Sequence, residues 1–397
     1  MRFRPTDRAA GMQYAIRDMV VYARELEKKG IEVIRLNIGD PDAYDFDTPE
    51  HIKRALFDAV LQGYNGYCDS EGDRELREAI AERERKKNNS IAGPEDVIVT
   101  SGITEGIQML LAAIIGAGDE LLVPGPTYPL YISVTSFYGG RAVAYRTDEE
   151  NGWRPDIEDI RKKVNERTRA IVVVNPNNPT GAVYSRRDLE EICNIASEHS
   201  IPVIADEIYD MLIYEGEHIS PVSVSKDTAV ITMNGFSKAY LVTGWRMGYI
   251  SIRDADGFLE ELKEALLKEA RARLSANHPV QRAMIAALRG PQEHIRKMVK
   301  TLRERRDYMW KRLNEIEGIS AVKPAGAFYL FPKIQRSEFR NDSEFVLHVL
   351  REGHVLLVNG SGFDRTYGSM HFRSVFLPPL ETLERAADAI EDALKKK

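Results

Sequence analysis

The chain has 397 residues, 43% of them hydrophobic, and a formal net charge of −6 from 55 basic and 61 acidic side chains. That length supports a large core and two domains. The charge balance excludes a nucleic-acid or anionic-membrane binder, since no long basic run occurs and Arg303-Glu-Arg-Arg306 reads as a solvated helix face. Apolar runs reach only strand length, so no membrane-spanning helix is expected, and Met1-Arg-Phe-Arg-Pro5 lacks the apolar core of a secretory signal. Two cysteines, Cys68 and Cys193, make neither a disulfide framework nor a zinc site, and no metal is expected. A soluble, cytoplasmic protein is the expectation.

Apolar periodicity over residues 14–30, with Ile16, Met19, Val20, Ala23 and Leu26 on one face and Gly30 as the stop, predicts a helix. Residues 33–38 predict a strand ending in the turn cluster Gly39-Asp-Pro-Asp42. Helices over 49–62 and 73–87 flank Gly63-Tyr-Asn-Gly-Tyr-Cys-Asp-Ser-Glu-Gly72, a loop whose tyrosines suggest a task. From about 95 the pattern alternates. Strands are predicted over 97–100, 120–123, 141–145, 170–175, 202–206, 230–234 and 248–252, with helices near 104–116, 129–138, 156–165 and 185–199. Such alternation predicts an α/β fold with a mostly parallel seven-stranded sheet between helices. Binding sites in such sheets collect outside the carboxyl ends of the strands. After 257 the chain turns helical to about 318. Strands over 327–331, 355–358 and 371–376, with helices near 343–352 and 380–395, then predict a smaller α+β domain. The segment before 48 is too short to fold alone. The expected division is therefore a large domain over 49–275, and a small one from 1–48 and 276–397.

The strand ends carry the chemistry. Lys238 follows the apolar run Ala229-Val-Ile-Thr-Met233 in Asn234-Gly-Phe-Ser-Lys238, and Arg246 stands eight positions on in Gly-Trp-Arg-Met-Gly248. A lysine leaving a buried strand can shed its proton and attack a carbonyl, and an arginine one loop on can hold a phosphate bidentately. Asn175-Pro-Asn-Asn-Pro-Thr-Gly181 closes another strand and presents the amide of Asn178, or is simply a well-made turn. Asp206 either caps a following helix or stands ionised against a cationic ring nitrogen, with Tyr209 one turn on. Ser101-Gly102 before Ile103 begins a helix, the usual seat for a phosphate. Tyr128 stands where it could stack on a planar ligand, and Arg373 lies in an apolar strand where a charge needs a partner. Together, a lysine amine, an acid, a phenol, an amide and a phosphate seat are what a protein supplies to bind pyridoxal 5'-phosphate.

At these residues, from about 30 to the C-terminus, the sequence resembles the class I/II aminotransferases, pyridoxal-phosphate enzymes of fold type I. The resemblance implies that Lys238 is the Schiff-base lysine and proton shuttle, and that Asp206 pairs with the pyridine nitrogen. It implies that Tyr209 and Asn178 contact the ring hydroxyl oxygen, and that Tyr128 stacks on the ring. Gly102, Ile103, Ser237 and Arg246 would hold the phosphate, while Arg373, the backbone near Gly39, and Asn178 would take the substrate carboxylate. Tyr67 matches the family tyrosine that reaches a neighbour's phosphate, which implies a homodimer. Many members carry a serine three residues before the lysine, where this chain has Gly235. Gly-Phe-Ser-Lys238, Gly-Tyr-Cys-Asp-Ser70, Pro-Asn-Asn-Pro-Thr-Gly-Ala-Val-Tyr-Ser185 and Ala-Asp-Glu-Ile-Tyr-Asp210 look most like the alanine (glutamate–pyruvate) aminotransferase branch.

The implied reaction is ping-pong transfer of an amino group from an L-amino acid, alanine, to a 2-oxo acid, 2-oxoglutarate. The alternatives are a transaminase for aspartate, aromatic or branched amino acids, and a lyase on the same fold. A distal carboxylate needs its own donor, for which Arg17, with Tyr14 beside it in a largely apolar stretch, is the candidate lid residue. A transcription regulator with this fold would need an N-terminal DNA-binding domain, for which 33–39 leaves no room. A dinucleotide-binding dehydrogenase would need G-x-G-x-x-G after a strand, and none occurs.

Overall fold

The computed structural model describes residues 3–12, 19–225 and 227–396. Its centre is one eight-stranded sheet: β1 (Val97–Thr100), β2 (Glu120–Gly125), β3 (Arg141–Asp148), β4 (Arg154–Pro155), β5 (Thr168–Val174), β6 (Val203–Asp206), β7 (Val230–Gly235) and β8 (Gly248–Arg253). The strand order is β1-β8-β7-β6-β5-β2-β3-β4. Neighbours from β3 to β7 pair in parallel, while β8 runs antiparallel between β1 and β7. The seven expected strands are all present. The eighth, β4, is a two-residue hairpin partner of β3 at the sheet edge, too short for its periodicity to register.

Strands β1, β2, β6 and β7 are buried along their whole length, as expected of runs covered by helices on both faces. Val, Ile and Leu supply the core, each fully buried side chain contributing about 1.5–3 kcal/mol over its exposed state. Helix Ile103–Ile114 packs its apolar face with Ile98, Ile231 and Ile250, while helix Arg186–Glu198 covers the other side through Leu189, Ile192 and Ile195. Helix Arg186–Glu198 begins with a capping box in which Ser185 and Asp188 satisfy each other's backbone donors.

Among the described residues no helix is long and apolar enough to cross a membrane. The N-terminal segment joins the C-terminal part. Ile34–Arg35 pairs in parallel with Val355–Leu356, and Phe372–Val375 lies antiparallel between Tyr329–Leu330 and Val358–Asn359. Helix His278–Arg289 packs on helix Glu50–Leu61 and shares a core with Val97, Val99 and Phe236. Its residues, expected in the smaller unit, thus bury their apolar face beside the large sheet. The expected helix at 14–30 is observed as Val20–Glu27; residues 13–18 lie outside those described.

Candidate active site

The parallel strands β1, β5, β6 and β7 end at one edge of the sheet, and the antiparallel β8 begins there. A cavity of about 190 Å³ opens at that edge and takes residues from four of these ends together with the segment after Ile34–Arg35 and strand Phe372–Val375. Of the sequence-predicted residues, Gly39, Ile103, Tyr128, Asn178, Asp206, Tyr209, Ser237, Lys238, Arg246 and Arg373 line it.

Lys238 Nζ donates a 2.6 Å hydrogen bond to the Gly39 carbonyl and lies 5.7 Å from the centre of the Phe328 ring. Burial lowers its amine to about 8, and the guanidinium groups of Arg246 and Arg373 push the same way against Asp40. Asp206 closes β6, buried, and burial pushes its carboxyl up to about 6. It accepts from Tyr131 Oη at 3.0 Å and from the Ile208 amide at 3.3 Å, and it has no ion pair among the described residues. The residues after Asp206 form turns rather than a helix, so it caps nothing, and the shared helical face expected for Tyr209 does not exist. Tyr209 reaches the cavity all the same, with its Oη 2.7 Å from Tyr329 Oη.

Behind this segment the chain is pinned from the other side. Arg83 and Lys87, from helix Arg74–Asn88, both bind Asp210. Burial opposes the Asp210 charge, but these two cations hold its carboxyl well below the usual range. Tyr249 Oη and Asn88 Nδ2 each donate at 2.6 Å to the buried Glu84 on the same helix.

The expected phosphate seat is built by close approach. Gly102 caps helix Ile103–Ile114 at φ +76°, and a Cβ there would stand 2.5 Å from Arg246 Nη2. The positive φ favours glycine there, and its missing side chain lets Arg246 approach. A Cβ on Gly248 would likewise lie 2.7 Å from the Ile103 nitrogen. Arg246 Nη1 is fixed on the Thr243 carbonyl at 2.9 Å. At Gly235 a Cβ would meet the Met247 carbonyl oxygen at 2.9 Å and Gly248 Cα at 3.0 Å. The β7–β8 backbones are thus packed too tightly for the family serine. Thr104, which the sequence reading passed over, brings a hydroxyl residue to the cavity from the first turn of the same helix.

Arg373 is buried in its strand. Its Nη1 donates to Asn178 Oδ1 at 3.0 Å, its Nη2 donates to the Asn37 carbonyl, and its Nε has no hydrogen-bond partner among the described residues. Its guanidinium lies 4.5 Å over the Tyr329 ring and 4.9 Å from that of Phe363. A buried charge held so, with one donor unused, is prepared for an anion.

Tyr67 does not line the cavity; it is 80% exposed. Tyr14 and Arg17 lie outside the described residues. The sequence reading missed Tyr131 and Tyr329. Both sit in apolar runs, where a tyrosine looks like core. The one available signal for Tyr131 was its place one helical turn after Tyr128.

Comparison with known proteins shows the family and the fold. A family model described as aminotransferase class I and II matches residues 31–390. The chain is 41% identical over 384 residues to the glutamate-pyruvate aminotransferase AlaA of Escherichia coli K12, covering 94% of this chain and 93% of that one. It is 39% identical over 389 residues to an alanine aminotransferase of Mycobacterium tuberculosis, covering 96% and 90%. The solved structure of an alanine aminotransferase from Pyrococcus furiosus superposes with a TM-score of 0.98 at 57% identity, over 99% of this chain and 100% of that one. An aspartate aminotransferase from Thermus thermophilus gives 0.89 at 35%, over 99% and 100%. With this fold, this cavity and these relatives, the chain belongs to the class I and II aminotransferases, which use pyridoxal phosphate.

Proposed function

We propose that the cavity binds pyridoxal phosphate across the carboxyl ends of β1, β5, β6 and β7, and that the reaction passes the amino group of alanine to 2-oxoglutarate. The observation that carries this reading is the pairing, in one cavity, of a lysine whose amine is lowered toward neutrality with a buried carboxylate that has no cation. Such a carboxylate suits a positively charged ring nitrogen. The Gly102 and Ile103 end of a twelve-residue helix, with Ser237 and Arg246 alongside, suits a phosphate dianion. Thr104 takes the place of the hydroxyl that Gly235 cannot carry.

When bound, the cofactor supplies a carbonyl carbon that condenses with amines and a ring that takes up the electron pair left on the substrate α-carbon. The chain's residues supply the rest. Lys238, its amine lowered by burial to about 8, would take the α-proton in its neutral form and return it. Asp206 would hold the ring nitrogen cationic, Tyr209 and Asn178 would donate toward the ring oxygen, and Tyr128 would cover the ring. Arg373, oriented by Asn178 and the Asn37 carbonyl, receives the α-carboxylate beside Gly39.

The identities of the relatives support alanine as donor. So does the count of cations: among the described residues the cavity is lined by only Lys238, Arg246 and Arg373. These serve the proton, the phosphate and one carboxylate, which suits a monocarboxylic amino acid. The protein incubated with alanine and 2-oxoglutarate should yield pyruvate and glutamate in equal amounts. Pyruvate with ammonia and no glutamate would overturn the reading in favour of a lyase.

The distal carboxylate of 2-oxoglutarate still needs a donor, and Arg17, with Tyr14 beside it, is the candidate. Arg17→Ala should raise KM for glutamate and 2-oxoglutarate about tenfold or more, the worth of one charged hydrogen bond, and leave alanine kinetics unchanged. Equal loss with alanine would remove Arg17 from this role.

The protein is read as a cytoplasmic homodimer. Free thiols at Cys68 and Cys193 suit a reducing compartment. Helix Glu50–Leu61, which precedes Tyr67 in the chain, leaves Phe57, Val60 and Leu61 exposed at helical spacing, and Tyr67 is exposed as well. Light scattering should give twice the 44.9 kDa chain mass. Leu61→Asp with Phe57→Asp should yield a monomer that loses cofactor on dilution, because Tyr67 then has no neighbouring site to complete.

A further inference from the structure

We infer that Tyr329 is a positioning residue that couples the seat of the substrate carboxylate to the phenol of Tyr209. The inference rests on the proposed roles of Arg373 and Tyr209 and adds the group that ties them together.

Three contacts support it. The Tyr329 hydroxyl lies 2.7 Å from that of Tyr209, both residues being buried. Its ring forms the floor under the Arg373 guanidinium, 4.5 Å from the ring centre. Its hydroxyl also packs against Gly39, so closely that a Cβ on Gly39 would overlap it. The Gly39 carbonyl is the acceptor for Lys238 Nζ. One side chain therefore touches the neighbourhood of the proton shuttle, the carboxylate receiver and the ring-oxygen donor.

Its position has a backbone cause. Tyr329 pairs with Val375 and Leu330 with Ser374, so Tyr329 and Arg373 stand on adjacent strands of one ladder. Tyr329 also meets Tyr209 edge to face, with ring centres 5.6 Å apart and planes at 87°. That geometry restrains the Tyr209 ring about its own axis.

The hydroxyl and the ring of Tyr329 therefore do separable work. A hydroxyl that donates to Tyr209 oxygen leaves the Tyr209 proton free to point at a ligand oxygen, and it polarises that proton through the chain of hydrogen bonds. The ring, through cation–π attraction and contact, holds the guanidinium in the plane set by Asn178 and the Asn37 carbonyl.

The test uses the cofactor-loaded enzyme and reads the pH at which its visible absorption band titrates, beside KM and kcat for alanine. Tyr209→Phe removes the direct donor and should move the titration midpoint upward. Tyr329→Phe should move it the same way by a smaller amount and leave KM within about twofold, because the ring remains. The double variant should shift no further than Tyr209→Phe alone. Tyr329→Leu, which loses the ring, should raise KM for alanine by about 3- to 10-fold, in the range of a cation–π contact. A shift with Tyr209→Phe but none with Tyr329→Phe, or fully additive shifts in the double variant, would overturn the inference and leave the Tyr209 role standing. No shift with Tyr209→Phe would instead overturn the reading on which it rests.

Discussion

Lys238→Ala is expected to fall in kcat by about 10⁴-fold or more, the upper end for a positioned acid–base group. The residual rate should not recover with rising pH. The reason lies in what surrounds the amine. Burial and the two guanidinium groups lower it to about 8, so a neutral minority far above that of a free lysine exists near physiological pH without any neighbouring base. No second lysine lines the cavity among the described residues. Single-turnover mixing with alanine measures the loss directly, and near-normal rates in the variant would remove Lys238 from the chemistry.

The second large effect concerns Asp206, and it has opposite signs in the two forms of the protein. In the loaded enzyme, Asp206→Ala should lower kcat by more than about 10²-fold, because the electron sink loses its counter-charge. In the apoprotein the ionised carboxylate is a cost. Its folded value of about 6 lies above the ordinary 3.8. The folded chain therefore binds more protons than the unfolded chain between those values, and stability falls as pH rises through that window. Above it, the cost levels off at as much as about 3 kcal/mol. Asp206→Asn, whose Oδ1 still accepts from the Ile208 amide and whose Nδ2 can donate to the Tyr131 hydroxyl oxygen, should thus melt higher than the parent apoprotein at pH 8 and no higher at pH 4. Calorimetry at the two pH values checks this. A parent apoprotein that is the more stable at pH 8 would show that Asp206 already has a compensating partner.

Most of the seven main strands were legible as short runs of Val, Ile and Leu closed by a turn cluster, while Arg141–Asp148, with one Val, was legible from its place in the alternation. The lysine, the acid and both arginines were legible because a charge directly after, or inside, such a run has few bland explanations. Direction was not legible: nothing in Gly248–Arg253 announces that it runs against its neighbours, since burial on two faces removes the alternation that would mark it. Tyr131 and Tyr329 were hidden for a related reason. A phenol in an apolar run can bury its ring whether or not its hydroxyl has a task, and only the distance to Asp206 or Tyr209 tells the cases apart. Gly235 shows the converse. Its missing side chain was visible in the sequence as a departure from the family, and the approach of Met247 and Gly248 gives it a cause. Position 67 stands out only through resemblance, and the proposed role would be completed only by another chain.

The bond from Arg373 to the Asn37 carbonyl joins positions 336 residues apart. It sets an order of events during synthesis. When Lys238, Asp206 and Arg246 have left the ribosome, the strands that carry them can already pair, yet neither the floor under the carboxylate receiver nor the receiver itself exists. Segment 34–39 must wait for the strands at 355–356 and 372–375, which emerge well after Arg246. A nascent chain can therefore hold a lysine, an acid and a phosphate seat while still lacking a place for an amino acid. The proposed site can be complete only once residue 375 has emerged.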